Sequence, residues 1–314
     1  MTNIDYSKLL QNWAIDFAAS ESNHEIQGSP ERTLERVVLR DRSGGRWVLE
    51  KIDPENLARK KQIALQLEAL KSSGLASVDP YRKNQQQSCF SSHQGQSWMI
   101  RPFIEGIPLD RDSYLSELWR AEAMAGFLIE MHPLARAIVP SSTPSFSMPL
   151  YAEGRMEVWG DRHPKLVEKL TPSFQKLKQR FFGVHDQLPT AFCHGDYHPL
   201  NMIWGEGRIE SVIDWEFCGV KPEMYDVALL LGCLGFDDPD ALIHELVIQL
   251  VQKLRAANLF SQQSWATLLD LVATIRTGWM SEWIRRSDEE AIDMEVLYID
   301  ILVSQKEYIE QHWA

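Results

Sequence analysis

The hydrophobic pattern shifts from mixed strand and helix to mostly helix just past residue 103, and this limits the possible folds more than any other feature. Before that point, LERVVLR (34–40) and RWVLEKI (46–52) alternate as strands do, and DRSGG (41–45) between them has the turn chemistry of a hairpin. SCFSSH (88–93) and QSWMIRPF (96–103) form a second strand pair about Gln94–Gly95. Between the pairs, Asp53 and Pro54 open a helix with Leu57, Ile63, Leu67 and Leu70 on one side. The stretch 5–19 (DYSKLLQNWAIDFAA) also has helical spacing. After Gly106–Pro108 the period is helical, through 113–132, 166–181 and almost all of 222–312. The predicted class is α+β, with a small β-rich N-terminal lobe at 1–103 and a larger, mostly helical C-terminal lobe at 104–314. A length of 314 residues suits two such lobes.

Hydrophobic residues at 44% and charged residues at 24% describe a chain able to bury a core. A net charge of −12 argues against a general nucleic-acid binder and suits a cationic small molecule. The N-terminal MTNIDYSKLLQNW lacks a basic segment followed by an apolar one, and the apolar run Val227–Phe236 is too short to cross a bilayer. Cys89, Cys193, Cys218 and Cys233 are scattered without CxxC spacing, as expected of free thiols in a reducing cytoplasm. The expected location is therefore cytoplasmic, without membrane or nucleic-acid partners.

One stretch interrupts the helical part: AFCHGDYHPLNMIWGEGRIESVIDWEFCG (191–219). Gly195 and Pro199 block regular structure, so His194 to Asn201 reads as a loop. NMIW (201–204) and RIESVID (208–214) read as a hairpin around GEG. Loop and hairpin would present Asp196, Asn201 and Asp214 towards a common edge, an oxygen-rich set of the kind magnesium prefers. Phosphoryl transfer needs such a metal and a carboxylate to take the proton of the attacking hydroxyl. Two alternatives remain at this point. His194, Asp196 and His198 alternate as ligands of a metal-dependent hydrolase could, and a kinase fold can also persist as a catalytically degenerate binding protein.

Asp196 and Asn201 keep the five-residue spacing of the protein-kinase catalytic loop. HGDYHPLN, VIDWEFCG and the later YDVALLLG closely resemble the aminoglycoside phosphotransferase and choline kinase-like family, most strongly over 191–232 and more weakly from about 23 to 314. The resemblance implies a bilobal protein kinase-like fold. It also implies an ATP- and magnesium-dependent phosphotransferase moving the γ-phosphate to a hydroxyl of a small molecule of amino-alcohol, aminoglycoside, homoserine or sugar type. Carried over by position, Asp196 is the catalytic base, and Asn201 and Asp214 are the magnesium ligands. His194 braces the loop, Asp226 caps a helix, and His198 and Glu216 face substrate or loop backbone.

The same resemblance asks the small lobe for a nucleotide site. Lys51 in WVLEKID is the phosphate-contacting lysine, although family members carry the basic residue directly after the Val-Leu pair, where this chain has Glu50. Its helical partner would be Glu68 or, by position, Gln62. The phosphate loop has only Gly28, followed by Ser29 and Pro30. In SWMIRPFIEGIPLD, Met99 and Phe103 would contact the purine, and Phe103 or Ile104 would supply the backbone donor that Pro102 lacks. Trp279 and Trp283, one helical turn apart beside Glu282, could hold an ammonium group of the acceptor.

Overall fold

The computed structural model describes residues 4–21, 26, 33–136, 138 and 147–313. The chain divides into two compact units: Met1–Leu109 with Leu200–Glu216, and Asp110–Pro199 with Phe217–Ala314. The class is α+β.

Among its described residues the first unit holds a five-stranded antiparallel sheet in the order β1-β2-β3-β5-β4. The strands are β1 (Phe17–Glu21), β2 (Thr33–Asp41), β3 (Arg46–Ile52), β4 (Ser91–His93) and β5 (Gln96–Pro102). The expected hairpin joins β2 to β3. Its turn is tied by the Asp41 carboxylate, which accepts from the Ser43 hydroxyl, the Gly45 amide and the Trp47 indole.

Register decides what each face of the sheet carries. Arg36 pairs with Glu50 and Val38 with Val48, while Glu50 pairs with Met99 and Val48 with Arg101. With a side-chain period of two, Arg36, Glu50, Met99 and Arg101 share one face, and Leu39, Leu49, Lys51, Trp98 and Ile100 share the other. The second face buries Leu39, Leu49, Trp98 and Ile100 against Leu9, Leu10 and Trp13. On the first face Met99 and Ile52 pack against Ala64 of helix α2 (Leu57–Ser72).

The expected helix over 5–19 is shorter. Helix α1 spans Tyr6–Leu10 and a 3-10 turn spans Gln11–Trp13, ending where Ala14 takes a left-handed φ of 53°. Phe17–Glu21 then pairs with β2 as an edge strand, so sheet pairing overrides helical spacing there.

The first unit also contains the hairpin of β7 (Met202–Gly205) and β8 (Arg208–Val212). The second unit is mainly helical, with long helices at Trp119–Ala135, Met148–Arg162, Pro164–Leu177, Tyr225–Asp237, Glu245–Ala256, Leu268–Arg286 and Glu289–Ser304. A two-stranded ladder of β6 (Thr190–Cys193) and β9 (Gly219–Pro222) completes it. Among the described residues, no helix is long and apolar enough to cross a membrane.

Candidate functional site

In the second unit, β6 delivers the chain into the loop that begins at His194. The amides of His194 and Gly195 donate to the two carboxylate oxygens of Asp226, at 2.7 and 2.8 Å. Asp226 sits in the first turn of helix Tyr225–Asp237, and burial pushes its carboxyl up to about 6 although the two amides favour the charged form. The His194 ring is fully buried, and its Nδ1 accepts from the Asp196 amide at 3.1 Å. Tyr197 donates its hydroxyl to the Met124 carbonyl at 2.9 Å and stacks on Phe127. Gly195 adopts a φ of 84°, and a Cβ there would lie 2.2 Å from the Phe217 carbonyl oxygen, so only glycine fits. Pinned on both sides, the loop holds the Asp196 carboxylate 22% exposed, with His198 Nε2 at 3.6 Å.

Asn201 and Asp214 belong to the first unit, at one end of the β7–β8 hairpin. Met202 pairs with Val212, and beyond that pair the Ile213 amide donates to the Asn201 carbonyl at 2.9 Å. The Val212 amide donates to the Ser77 carbonyl at 2.9 Å, which fixes the end of β8. Asp214 follows with a φ of 65°, a left-handed conformation that costs a non-glycine residue about 1 kcal/mol.

This strained turn carries Asp214 to a cavity lined by Arg36, Glu50, Lys60, Arg101 and Glu216. Glu50 is buried in its wall. Tyr81 donates its hydroxyl to Glu50 at 2.9 Å, Arg101 Nε stands 3.7 Å away, and Lys60 Nζ stands 3.8 Å away. Lys60 also forms an ion pair with Glu216, and Arg59 donates to the Glu216 carbonyl. Burial alone would raise the Glu50 carboxyl, but Lys60 and Arg101 outweigh it and hold the group below its ordinary value. Burial works against the charge on Lys60 too, yet the Glu50 and Glu216 carboxylates beside it hold the ammonium above its ordinary value.

Lys51 lies one residue further along β3 and so on the opposite face, its ammonium 6.0 Å from the Trp98 ring centre. Of the two helix residues that sequence offers as partners of Lys51, Glu68 pairs with Lys83 and Gln62 accepts from Arg59. The helix residue that meets Glu50 is Lys60. A signal for it was present, because Lys60, Ile63, Ala64 and Leu67 share the helical spacing of the buried side of α2. Glu216 turns to Lys60.

A second cavity in this unit, of about 320 Å³, is lined by Val48, Phe103, Ile104, Ile203, Ile213 and Arg101. The Phe103 amide donates to the Arg46 carbonyl at 2.9 Å, continuing the sheet, and the Arg46 guanidinium lies 5.0 Å over the Phe103 ring. Met99 is fully buried between the sheet and α2. Gly28, Ser29 and Pro30 lie outside the described residues.

In the second unit, Trp279 and Trp283 stack with ring centres 6.0 Å apart. Two of the chain's own guanidinium groups stand beside them: Arg276, 5.4 Å from the Trp279 ring and 4.4 Å from Phe236, and Arg286, 5.8 Å from the Trp283 ring. Arg276 is buried against Glu295, which also accepts from the Trp283 indole. Glu282 is paired with Arg285 and Arg286. His198 meets Trp279 edge-on at 6.1 Å, which joins the Asp196 loop to the tryptophan pair within one unit.

Asn201 and Asp214 carry oxygen donors, the type that magnesium takes. At their hairpin end a hard cation would complete its shell with water and phosphate. Among the described residues, no three His, Cys, Asp or Glu side chains converge as a metal cluster, and the His194 Nδ1 is already used by Asp196.

The phosphotransferase enzyme family matches the chain over residues 25–260. An aminoglycoside phosphotransferase from Alicyclobacillus acidocaldarius superposes with a TM-score of 0.69 at 13% identity, covering 99% of this chain and 98% of its own. An amicoumacin kinase, in complex with AMP-PNP, Ca2+ and Ami, superposes at 0.66 with 14% identity, covering 96% and 94%. A choline/ethanolamine kinase family protein from Mesorhizobium loti gives 0.59 at 12% identity, covering 94% and 91%. These likenesses show a shared fold. A search of curated proteins returned no match.

Proposed function

We propose that this chain, which belongs to the phosphotransferase enzyme family, is a small-molecule kinase that carries out magnesium-dependent transfer of the γ-phosphate of ATP to a hydroxyl of an amino-alcohol, aminoglycoside, homoserine or sugar-type acceptor. The observation that carries this reading is the hairpin end where Asn201 and Asp214 stand together, with Asp214 lining a cavity that also holds Arg36, Lys60 and Arg101. The purine would occupy the second cavity against Phe103, with Ile104 supplying the backbone donor.

Asn201 and Asp214 would hold magnesium, which when bound neutralises phosphate charge. Asp196 accepts the proton of the acceptor hydroxyl at a carboxylate oxygen. His198 stands beside that oxygen, and Trp279 behind His198 extends the acceptor surface towards Trp283. The two buried hydrogen bonds that the His194 and Gly195 amides donate to Asp226 keep the loop from moving as the proton is transferred, so positioning supplies much of the rate. A cytoplasmic location agrees with ATP as the donor and with four free cysteines.

The test is ATP consumption over a panel of alcohols, amino alcohols, sugars and aminoglycosides, with and without magnesium. Magnesium-dependent turnover with at least one hydroxyl acceptor is expected. Tightly bound stoichiometric zinc with hydrolysis of the same compounds would instead favour the hydrolase.

A further inference from the structure

The kinase reading asks for a strand cation over the nucleotide phosphates, and the register removes the residue that sequence position offers. Lys51 is on the face of β3 that packs with Trp98, Leu49 and Ile100. The residue on the cavity face is Glu50, a carboxylate, which would repel phosphate if it stood alone.

It does not stand alone. Lys60 and Arg101 face it from the helix and the neighbouring strand, Tyr81 donates to it, and Arg36 is its direct cross-strand partner on β2. Lys60 also serves Glu216. The usual arrangement, a strand lysine held by a helix glutamate, is thus present with its charges exchanged. The exchange leaves a carboxylate on β3 and places guanidinium groups on the two strands flanking it. Arg36 and Arg101 sit on either side of Glu50, both on the cavity face and both lining the cavity that Asp214 enters. Arg101 and Ile213 line the apolar cavity as well, so a ligand with an aromatic ring in one and a polyanion in the other must pass Arg101. Guanidinium groups suit this task because they grip phosphate oxygens in pairs and stay charged when partly buried.

We propose that Arg36 and Arg101, and not Lys51, bind the phosphates of the nucleotide, with the Glu50–Lys60 pair acting as the scaffold between them. This rests on the kinase reading above, and the experiment separates the two.

Calorimetric titration of MgATP and of adenosine is carried out on the wild type and on Arg36→Gln, Arg101→Gln and Lys51→Met. Each arginine variant is expected to lose MgATP affinity by about 10- to 100-fold, the worth of a charge-assisted hydrogen bond. Adenosine affinity should stay within about twofold, showing an intact ring pocket, and Lys51→Met should bind both ligands as the wild type does. Loss of MgATP binding in Lys51→Met with both arginine variants unaffected would overturn the proposal. So would arginine variants that lose adenosine and MgATP in parallel, since that marks a purely structural role. A wild type that binds neither MgATP nor MgGTP would overturn the kinase reading itself.

Discussion

Glu50 of β3 and Lys60 of α2 face each other at 3.8 Å, both buried, with the acid on the strand and the base on the helix. The pair is scaffold for the charged cavity, and removing one member strands the other charges. Glu50→Gln leaves Arg36, Lys60 and Arg101 crowded with one less counter-charge. A loss of about 3 kcal/mol in urea unfolding is expected, with part recovered when Lys60→Met is added. A change below about 0.5 kcal/mol would mean that the pair contributes little.

Gly195→Ala tests the loop that carries Asp196. The added methyl would meet the Phe217 carbonyl at 2.2 Å, backbone against backbone, and would also need a φ of 84°. Thermal melting should show a loss of about 2–4 kcal/mol with activity falling further, because the loop must shift to relieve the clash. A variant with the stability and rate of the wild type would contradict the close approach.

Asp226 gives the pH dependence. Its carboxyl titrates near 6 when folded, against an ordinary value of 3.8. The folded chain therefore binds this proton more tightly than the unfolded chain. The contribution to stability is fully present below about pH 4 and is lost as pH rises through 6, in total about 3 kcal/mol. Activity should run the other way, since both loop amides need the carboxylate: the rate should fall as pH drops below about 6. Comparing the pH dependence of unfolding in the wild type and in Asp226→Asn checks the sign. Parallel curves between pH 4 and 7 would refute it.

Asp214 separates strain from ligation. Asn tolerates the left-handed region about as well as Asp does, so Asp214→Asn should fold within about 1 kcal/mol of the wild type. Magnesium-dependent nucleotide binding should nevertheless weaken about tenfold or more, read by titrating MgATP. Unchanged affinity would remove Asp214 from the metal site.

Much of this was legible in local pattern. Both hairpins of the small sheet, α2 and the loop–hairpin motif follow from alternation, turn chemistry and spacing, and the family match agrees with HGDYHPLN and VIDWEFCG as a signature. What escaped depends on pairing across distance. Phe17–Glu21 reads as helix until β2 supplies an edge. Leu200–Glu216 falls in the first unit although the chain reaches it ninety residues after leaving that unit at Leu109. A step of one residue on β3 decides whether Lys51 or Glu50 faces the cavity, and only the register with β2 and β5 settles that. Lys60 was hidden because a lysine on the buried side of a helix goes unremarked until its two carboxylate partners are in view.

The central claim is that Asp196 takes the proton of an acceptor hydroxyl, and Asp196→Asn tests it most directly. With an acceptor identified by the ATP-consumption screen, kcat should fall by about 10²- to 10⁴-fold while MgATP affinity stays within about twofold. An Asp196→Asn protein that turns over at the wild-type rate would contradict the account.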